Sequence, residues 1–183
     1  MRTRLLLEAI EFATEKHKGQ CRKGTARPYI SHPLEVVEIL ESMEAEEELL
    51  IAGILHDTLE DTDATAEEIG QRFGERVLIL VCGHTEDKSK TWKERKTHAV
   101  EEVRGAECRM KMLVLADKLS NLRDMKRDYA QVGEMLWERF HAPKESQAWY
   151  YHGMQDALSG VQEVSQAREA YKEMCELISG LFG

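Results

Sequence analysis

Apolar residues recur at spacings of three and four along most of this sequence, and this periodicity restricts the fold more than any other feature. One such helix face lies within residues 3–17 and consists of Leu6, Ala9, Ile10, Ala13 and His17. Proline, which interrupts helices, occurs at only three positions, Pro28, Pro33 and Pro143. Alternation typical of a half-buried strand is nowhere sustained, and no internal repeat is visible. The sequence therefore predicts an all-α fold built from several helices.

Capping signals and apolar stripes together place the predicted helices. Ser31 or His32 caps a helix whose first turn contains Pro33, and a capping box of Thr65 and Glu68 starts a shorter one. Further predicted helices cover residues 3–17, 46–59, 65–74, 75–84, 91–104, 107–126 and, interrupted near the last proline, 130–182. The apolar residues 77–81, taken alone, are also compatible with a buried strand.

The composition indicates one globular domain, which we expect to span residues 1–183, because the length allows a hydrophobic core and no linker divides the chain. A net charge of −9 argues against general nucleic-acid binding. The longest apolar stretches, such as residues 77–82, are too short to cross a bilayer, and the N-terminus lacks the features of a signal peptide. Four scattered cysteines without a CxxC pair indicate reduced thiols. We therefore expect a cytoplasmic protein that binds neither nucleic acid nor membrane and needs no obligate protein partner.

Positive charge is concentrated in residues 16–27, which contain five Lys or Arg residues and no acid. Most of them fall in the longest irregular stretch of the first half of the chain, residues 18–31, here called the basic loop. Loops this long in a compact domain are often functional. In an acidic protein such a segment can bind a small anion, although charge runs more often form solvated surface.

The strongest chemical signal is a cluster of polar residues that follows an apolar helix face within residues 52–62. At 3.6 residues per turn, His56 and Glu60 lie one turn apart, and so do Asp57 and Asp61. The result is a helix end that carries one imidazole and three carboxylates. So many acids in one place repel each other unless a cation lies among them, so this cluster predicts a metal site.

Two residues elsewhere in the sequence complete the candidate ligand set. His32 begins a helix, and Asp117 follows five apolar residues, so its charge is expected to be buried and to need a partner. Taken alone, His32 could be a cap or core residue, and Asp117 could pair with Arg109 or Arg123. The occurrence of all these residues together, in order and with apolar flanks, favours a site for Mn²⁺, Fe²⁺, Co²⁺ or Zn²⁺. The remaining histidines are interpreted as surface or structural residues; they are His17, His84, His98, His141 and His152.

The order His, His-Asp, Asp resembles that of the HD superfamily of metal-dependent phosphohydrolases. More narrowly, the chain resembles the hydrolase domain of the RelA/SpoT family in its stand-alone small alarmone hydrolase form. The matching segments are residues 17–23, 28–33, 55–62, 94–96, 115–123 and 149–151, and the resemblance covers residues 1 to about 160.

This resemblance implies a multi-helix HD-domain bundle that binds one Mn²⁺ ion. The implied metal ligands are His32, His56, Asp57 and Asp117. Family members remove the 3′-pyrophosphate from guanosine 3′-diphosphate 5′-(di/tri)phosphate, so the implied partner is a small phosphorylated guanine nucleotide. The implied catalytic residues, which orient or deprotonate the attacking water, are Glu60 and Asp61. The positions that match nucleotide contacts are Arg22, Lys23 and Asn121, with Lys144 near another basic contact.

Three other interpretations of the sequence stay open. The substrate could be another nucleotide, such as NADPH, because phosphate-binding residues are generic. The chain could be an alarmone-binding sensor without activity, although a binder does not need the acids Glu60 and Asp61. It could also be a purely structural helical protein, which would leave the cluster of acids unexplained.

Overall fold

The computed structural model describes residues 3–85, 87 and 89–183, and within these residues the protein contains helices and no β-strand. The α-helices are α1 (Arg4–Lys16), α2 (Ser31–Ser42), α3 (Glu47–Leu55), α4 (Thr58–Asp61), α5 (Ala66–Phe73), α6 (Glu75–His84), α7 (Trp92–Gly105), α8 (Cys108–Val132), α9 (Lys144–Leu158) and α10 (Arg168–Phe182). Short 3₁₀-helices cover Gly133–Arg139, Ser159–Glu163 and Ser165–Ala167. The all-α prediction is confirmed. The alternative of a strand at residues 77–81 is wrong, because these residues lie in α6.

The helix predicted over residues 46–59 is divided in two, because α3 ends at Leu55 and α4 begins at Thr58. Side chains supply hydrogen bonds to the last carbonyls of α3. The Thr58 hydroxyl donates to the Leu55 carbonyl at 2.6 Å, and His56 Nδ1 lies 2.8 Å from the Gly53 carbonyl oxygen. Such side-chain donors compete with the backbone amides of a continuing helix. The division leaves His56 at the junction between two helices.

Two other helix ends differ from prediction for local reasons. The N-cap of α2 is Ile30, not Ser31 or His32, because the Ser31 hydroxyl donates to the Pro28 carbonyl at 2.8 Å and does not cap the helix. At the other end of the chain, α8 continues past residue 126 to Val132. Gly133 then adopts a φ of 57°, a conformation that favours glycine and ends the helix.

The described residues form two compact units, one ending at Thr85 and the other comprising the residues after it. In the first unit, α3 is the central helix and packs against α1, α2 and α6, while α5 packs against α6. After its two initial glutamates, helix α3 is apolar on all sides, as expected for a helix at the centre of a core. Its largest buried side chains are Leu49, Ile51, Ile54 and Leu55.

In the second unit, α8 packs against α10 and against the 3₁₀-helix Gly133–Arg139, while α9 packs against α7 and α10. Helix α8 carries a buried apolar stripe in which Asp117 is also buried. The single domain over residues 1–183 stays a prediction. None of the helices in the described part of the chain is long and apolar enough to span a membrane.

Helices α2 and α3 approach each other closely at Gly53. A methyl group on Gly53 would lie 2.5 Å from Leu40 Cδ1 and 3.4 Å from Val36 Cγ1. Leu40 and Val36 are fully buried, so neither has free space to move into. The missing side chain at Gly53 therefore permits the close contact between α3 and α2, the helix that carries His32.

We expect Gly53→Ala to lower the free energy of unfolding by about 1–3 kcal/mol, because the added methyl group overpacks the contact with Leu40. The matched control is Gly180→Ala in α10, where a methyl group would meet no heavy atom within 4 Å. This control should raise the same free energy by up to about 1 kcal/mol through helix propensity. Denaturation followed by circular dichroism measures both. Wild-type stability of Gly53→Ala would contradict the packing described.

Candidate metal site and basic loop

Side-chain nitrogen and oxygen atoms of His32, His56 and Asp57 converge in the first unit, and these three residues are here called the histidine–aspartate cluster. His56 Nε2 lies 3.2 Å from His32 Nε2 and 3.0 Å from Asp57 Oδ2. His32 Nε2 lies 3.6 Å from the same carboxylate oxygen. Both imidazoles are buried, and the Asp57 side chain is 15% exposed. The structure thus brings together three of the four predicted metal ligands in the first unit.

A hydrogen bond determines which nitrogen of His56 faces the cluster. The Gly53 carbonyl oxygen, 2.8 Å from His56 Nδ1, can only accept, so Nδ1 carries the hydrogen and donates. In the neutral ring, Nε2 is then a lone-pair acceptor. An imidazole lone pair, a second imidazole nitrogen and a carboxylate oxygen are therefore directed at one another. Their donor set fits a divalent metal, and a hydrogen bond from the far ring nitrogen to a carbonyl is the usual support of a ligating histidine.

The local fold explains why these side chains meet. His32 lies in the first turn of α2, and α2 packs against α3. His56 is the C-cap of α3 and Asp57 is the N-cap of α4, so the two residues lie at the turn between the helices. His84, at the end of α6, also packs its ring against that of His56, with ring centroids 5.1 Å apart.

Tyr29 supports the carboxylate of the cluster. Its hydroxyl donates to Asp57 Oδ2 at 2.6 Å. Burial, together with the neighbouring Asp57 charge, raises the pKa of the Tyr29 phenol well above its usual value. The phenol therefore stays protonated near neutral pH and remains a donor. The ring of Tyr29 packs against the ring of His17, with centroids 4.8 Å apart, and the Arg22 guanidinium lies over it at 5.5 Å.

The two predicted catalytic acids lie in α4, directly after the cluster. Glu60 is half-buried, and Asp61 is exposed. The Asp61 backbone amide donates to the Asp57 carbonyl at 2.9 Å, which keeps the two residues one turn apart in α4. From the basic loop, Gln20 Nε2 donates to the Asp61 carbonyl at 2.8 Å. Both acids therefore follow the cluster directly in the sequence, and the hydrogen bond from Gln20 holds the turn that carries Asp61.

The basic loop is held as a short hairpin. The Arg22 amide donates to the Arg27 carbonyl at 2.8 Å, and the Tyr29 amide donates to the Gln20 carbonyl at 2.9 Å. The pairing brings Arg22 back to the ring of Tyr29. Lys23, one residue further on, is exposed, and partial desolvation lowers the pKa of its ammonium. Of the predicted anion contacts, Arg22 is thus connected to the cluster through Tyr29.

The fourth predicted ligand, Asp117, lies in the second unit on α8. Its Oδ1 accepts from Asn121 Nδ2 at 2.7 Å, and its Oδ2 accepts from Lys118 Nζ at 2.6 Å. Burial opposes the charged form of Lys118, but the adjacent Asp117 carboxylate raises the pKa of the ammonium well above its usual value. The structure therefore brings together Asp117 and Asn121, as expected for residues one helical turn apart. Arg123, considered as a partner of Asp117, forms a two-fold ion pair with Glu173 at 2.7 and 2.6 Å.

Lys144, the remaining predicted substrate contact, is the first residue of α9 in the second unit. Its ammonium lies 3.1 Å from Glu134 Oε1 and 5.3 Å from the centre of the Trp137 ring. Its role in binding a nucleotide stays a prediction.

Sequence reasoning gave no role to several residues that the structure places at the candidate site. Tyr29 belonged to a matching segment, but nothing in its sequence neighbourhood indicated a bond to a residue 28 positions away. Gln20 and Lys118 also lay in matching segments, residues 17–23 and 115–123, but had no assigned role. The interpretation of His84 as a surface or structural residue did not indicate that its ring contacts that of His56. The position of His84 at the end of an apolar helix was the only available signal.

Comparison with known proteins identifies the family. The HD-domain profile matches residues 9–146. A MESH1 protein of Danio rerio, named guanosine-3′,5′-bis(diphosphate) 3′-pyrophosphohydrolase, is 44% identical over 128 residues, which cover 68% of this chain and 71% of that one. The MESH1 protein of Mus musculus, which has the same name, is 38% identical over 175 residues, which cover 93% of each chain.

A solved structure shows the same fold. It belongs to a metazoan ortholog of SpoT that is described as hydrolysing ppGpp and playing a role in starvation responses. The match has a TM-score of 0.81 at 30% identity and covers 98% of this chain and 97% of that one. The chain therefore belongs to the HD-domain family, in the group that includes the MESH1 proteins.

Proposed function

We propose that this protein removes the 3′-pyrophosphate from guanosine 3′-diphosphate 5′-(di/tri)phosphate, which gives GDP or GTP and pyrophosphate. The observation that carries the proposal is the convergence of side-chain nitrogen and oxygen atoms from His32, His56 and Asp57, with two acids following in the next helix. The named activity of the MESH1 relatives supports the choice of nucleotide. The four cysteines are all free, which supports the proposed cytoplasmic location.

One Mn²⁺ ion is the proposed cofactor, and its proposed ligands are His32, His56, Asp57 and Asp117. A divalent metal at such a site lowers the pKa of water and polarises a phosphoryl oxygen. Imidazole and carboxylate ligands together suit Mn²⁺ and its neighbours among the transition metals. Asp117 is included because its carboxylate is buried and oriented by Asn121 and Lys118, the kind of support that ligating carboxylates receive.

Glu60 and Asp61 are the proposed catalytic residues. In the proposed reaction, water adds to the phosphorus bonded to the nucleoside 3′-oxygen. The bond between this phosphorus and the 3′-oxygen breaks, and the 3′-oxygen takes up a proton and leaves as a hydroxyl. One of the two carboxylates accepts the proton that the water gives up. Both acids follow Asp57 within α4, so they can approach the reacting atoms without being ligands themselves.

Four polar side chains are proposed to hold the nucleotide. Arg22 and Lys23 would neutralise charge on the pyrophosphate group, an interaction that becomes stronger as charge develops. Asn121 lies one turn after Asp117 and donates to it, so a nucleotide contact and a metal ligand can share one helix face. Lys144 is proposed as a further basic contact.

A substrate panel tests the proposed function. Purified protein supplied with Mn²⁺ is incubated with ppGpp, pppGpp or NADPH, and the release of pyrophosphate and of orthophosphate is measured. We expect pyrophosphate from the two guanosine nucleotides. Orthophosphate from NADPH alone would assign a different nucleotide substrate. Tight binding of ppGpp without turnover would indicate a sensor, and either result would contradict the proposal.

We expect His56→Ala and Asp117→Ala each to lose bound metal, because each removes one of four proposed ligands. Metal analysis of the purified variants, with wild-type protein and the variant His98→Ala as controls, measures the loss. His98 is exposed and pairs with Glu102 on its own helix, so its replacement should leave metal content unchanged. If both ligand variants kept the wild-type content, the proposed site would be wrong.

The amide variants Glu60→Gln and Asp61→Asn separate catalysis from metal binding. They keep shape and hydrogen bonding but remove the base, so kcat should fall by about 10²–10⁴-fold while metal content is retained. Steady-state kinetics and metal analysis are the measurements. A change in kcat below about threefold, which corresponds to less than about 0.7 kcal/mol, would mean that the acids only end the helix or contact solvent. Loss of metal in both variants would indicate that Glu60 and Asp61 are metal ligands and would refute the separation of catalysis from metal binding.

Arg22→Ala and Lys23→Ala are expected to raise KM for ppGpp and to leave the melting temperature nearly unchanged. The reason is that Lys23 is exposed and Arg22 contributes a surface contact over Tyr29, so neither supports the core. Kinetics and thermal denaturation on the same preparations measure both quantities. A large loss of stability at normal KM would show that the loop is structural.

A further inference from the structure

One tyrosine joins the basic loop to the histidine–aspartate cluster. The hydroxyl of Tyr29 donates to Asp57 Oδ2 at 2.6 Å, and that same oxygen faces both imidazoles of the cluster. A phenol that donates to a carboxylate forms a charge-assisted hydrogen bond, which is stronger than a bond between neutral groups. Because one oxygen of Asp57 faces His32, His56 and Tyr29 together, the phenol restricts the rotation of the carboxylate.

The ring of the same tyrosine contacts a cation of the basic loop. The Arg22 guanidinium lies 5.5 Å from the centre of the Tyr29 ring, a distance at which the ring face attracts a cation. The hairpin pairing of Arg22 with Arg27 and of Gln20 with Tyr29 fixes this arrangement through the backbone. The Tyr29 ring also packs against the ring of His17, which is buried.

The hydrogen-bond directions around Gln20 show that the loop is fixed at a second point. Gln20 Nε2 lies 2.8 Å from the Asp61 carbonyl, which only accepts, so the amide nitrogen of Gln20 is the donor there. Gln20 Oε1, 2.8 Å from His17 Nδ1, must then accept from that nitrogen. The chain His17, Gln20, Asp61 therefore runs in one direction and holds the loop against the turn that follows the cluster.

We propose that Tyr29 is a positioning residue: its hydroxyl orients Asp57 for the metal, and its ring holds Arg22 in place for the phosphate groups of the substrate. The proposal rests on the proposed function for the role of Arg22 and on the geometry of the cluster for the role of the hydroxyl. Tyr29 itself neither binds the metal nor takes part in proton transfer. The hydroxyl of Tyr29 is therefore expected to affect Mn²⁺ affinity, and its ring is expected to affect KM.

Two substitutions separate the hydroxyl from the ring. Tyr29→Phe removes the bond to Asp57 and keeps the ring under Arg22, while Tyr29→Leu removes both. The control is Tyr171→Phe, because the Tyr171 hydroxyl donates to the Gln155 carbonyl at 3.0 Å within the second unit and has no part in the proposed site. Thermal denaturation of all three variants shows whether each remains folded.

Metal affinity is measured by competition for Mn²⁺ with a chromophoric chelator, and KM and kcat are measured with ppGpp. Residues that orient a metal ligand contribute about 10–100-fold to metal affinity or activity. We expect Tyr29→Phe to lose about that factor in Mn²⁺ affinity, with KM at saturating metal within about threefold of wild type. Tyr29→Leu should show the same loss and, in addition, a KM raised about tenfold. Tyr171→Phe should match the wild type in each quantity.

The outcomes distinguish this proposal from the proposed function. Wild-type Mn²⁺ affinity of a folded Tyr29→Phe would overturn the role of the hydroxyl, and equal KM values for the two Tyr29 variants would overturn the role of the ring. A fall in melting temperature without any change in metal affinity would show a merely structural tyrosine and would also overturn the proposal. If the wild-type protein failed to hydrolyse ppGpp while Tyr29→Phe still weakened Mn²⁺ binding, the proposed function would fail and the role of the hydroxyl would be supported.

Discussion

The hydrogen bond between His56 Nδ1 and the Gly53 carbonyl determines much of the structure around the candidate site. It satisfies a carbonyl near the end of α3, where the helix stops. It also directs Nε2 of His56 toward His32 and Asp57 as a lone-pair acceptor. The residue that supplies the carbonyl has no side chain, which lets α2 approach closely and bring His32 to the cluster. Helix termination, helix packing and ligand orientation thus depend on the same few atoms.

Charge balance connects this cluster to the loop that precedes it in the sequence. Three acids lie within residues 56–61, and four cations lie in the basic loop. Tyr29 and Gln20 connect the two segments through hydrogen bonds to Asp57 and to the Asp61 carbonyl. An anionic substrate held by the loop would therefore lie near the acidic turn only if a cation is present there, since like charges repel.

The sequence predicts those features that depend on local spacing. The all-α class follows from apolar periodicity, and the convergence of His56 and Asp57 with His32 follows from their order and their apolar flanks. The break after Leu55 could not be predicted from periodicity, because side-chain donors at Thr58 and His56 compete with the helix only in the folded geometry.

The contacts that support the candidate site could not be predicted from the sequence, because they join residues far apart in the chain. The Tyr29 bond to Asp57 and the Gln20 bond to the Asp61 carbonyl span 28 and 41 positions. No periodicity relates such positions, and their donors and acceptors meet only after α2 and α3 have packed. The ring contact between His84 and His56 depends in the same way on the packing of α6 against α3.

The imidazoles of His32 and His56 are proposed to direct lone pairs at one cation position, and the nitrogen chemical shifts of the histidine side chains test this proposal most directly. Protein labelled with ¹⁵N in histidine is stripped of metal, and spectra are recorded at neutral pH before and after one equivalent of diamagnetic Zn²⁺. The account predicts that His56 is the Nδ1–H tautomer without metal and that Zn²⁺ shifts the Nε2 resonances of His32 and His56. An Nε2–H tautomer of His56, or Zn²⁺ binding that leaves both resonances unchanged, would contradict it.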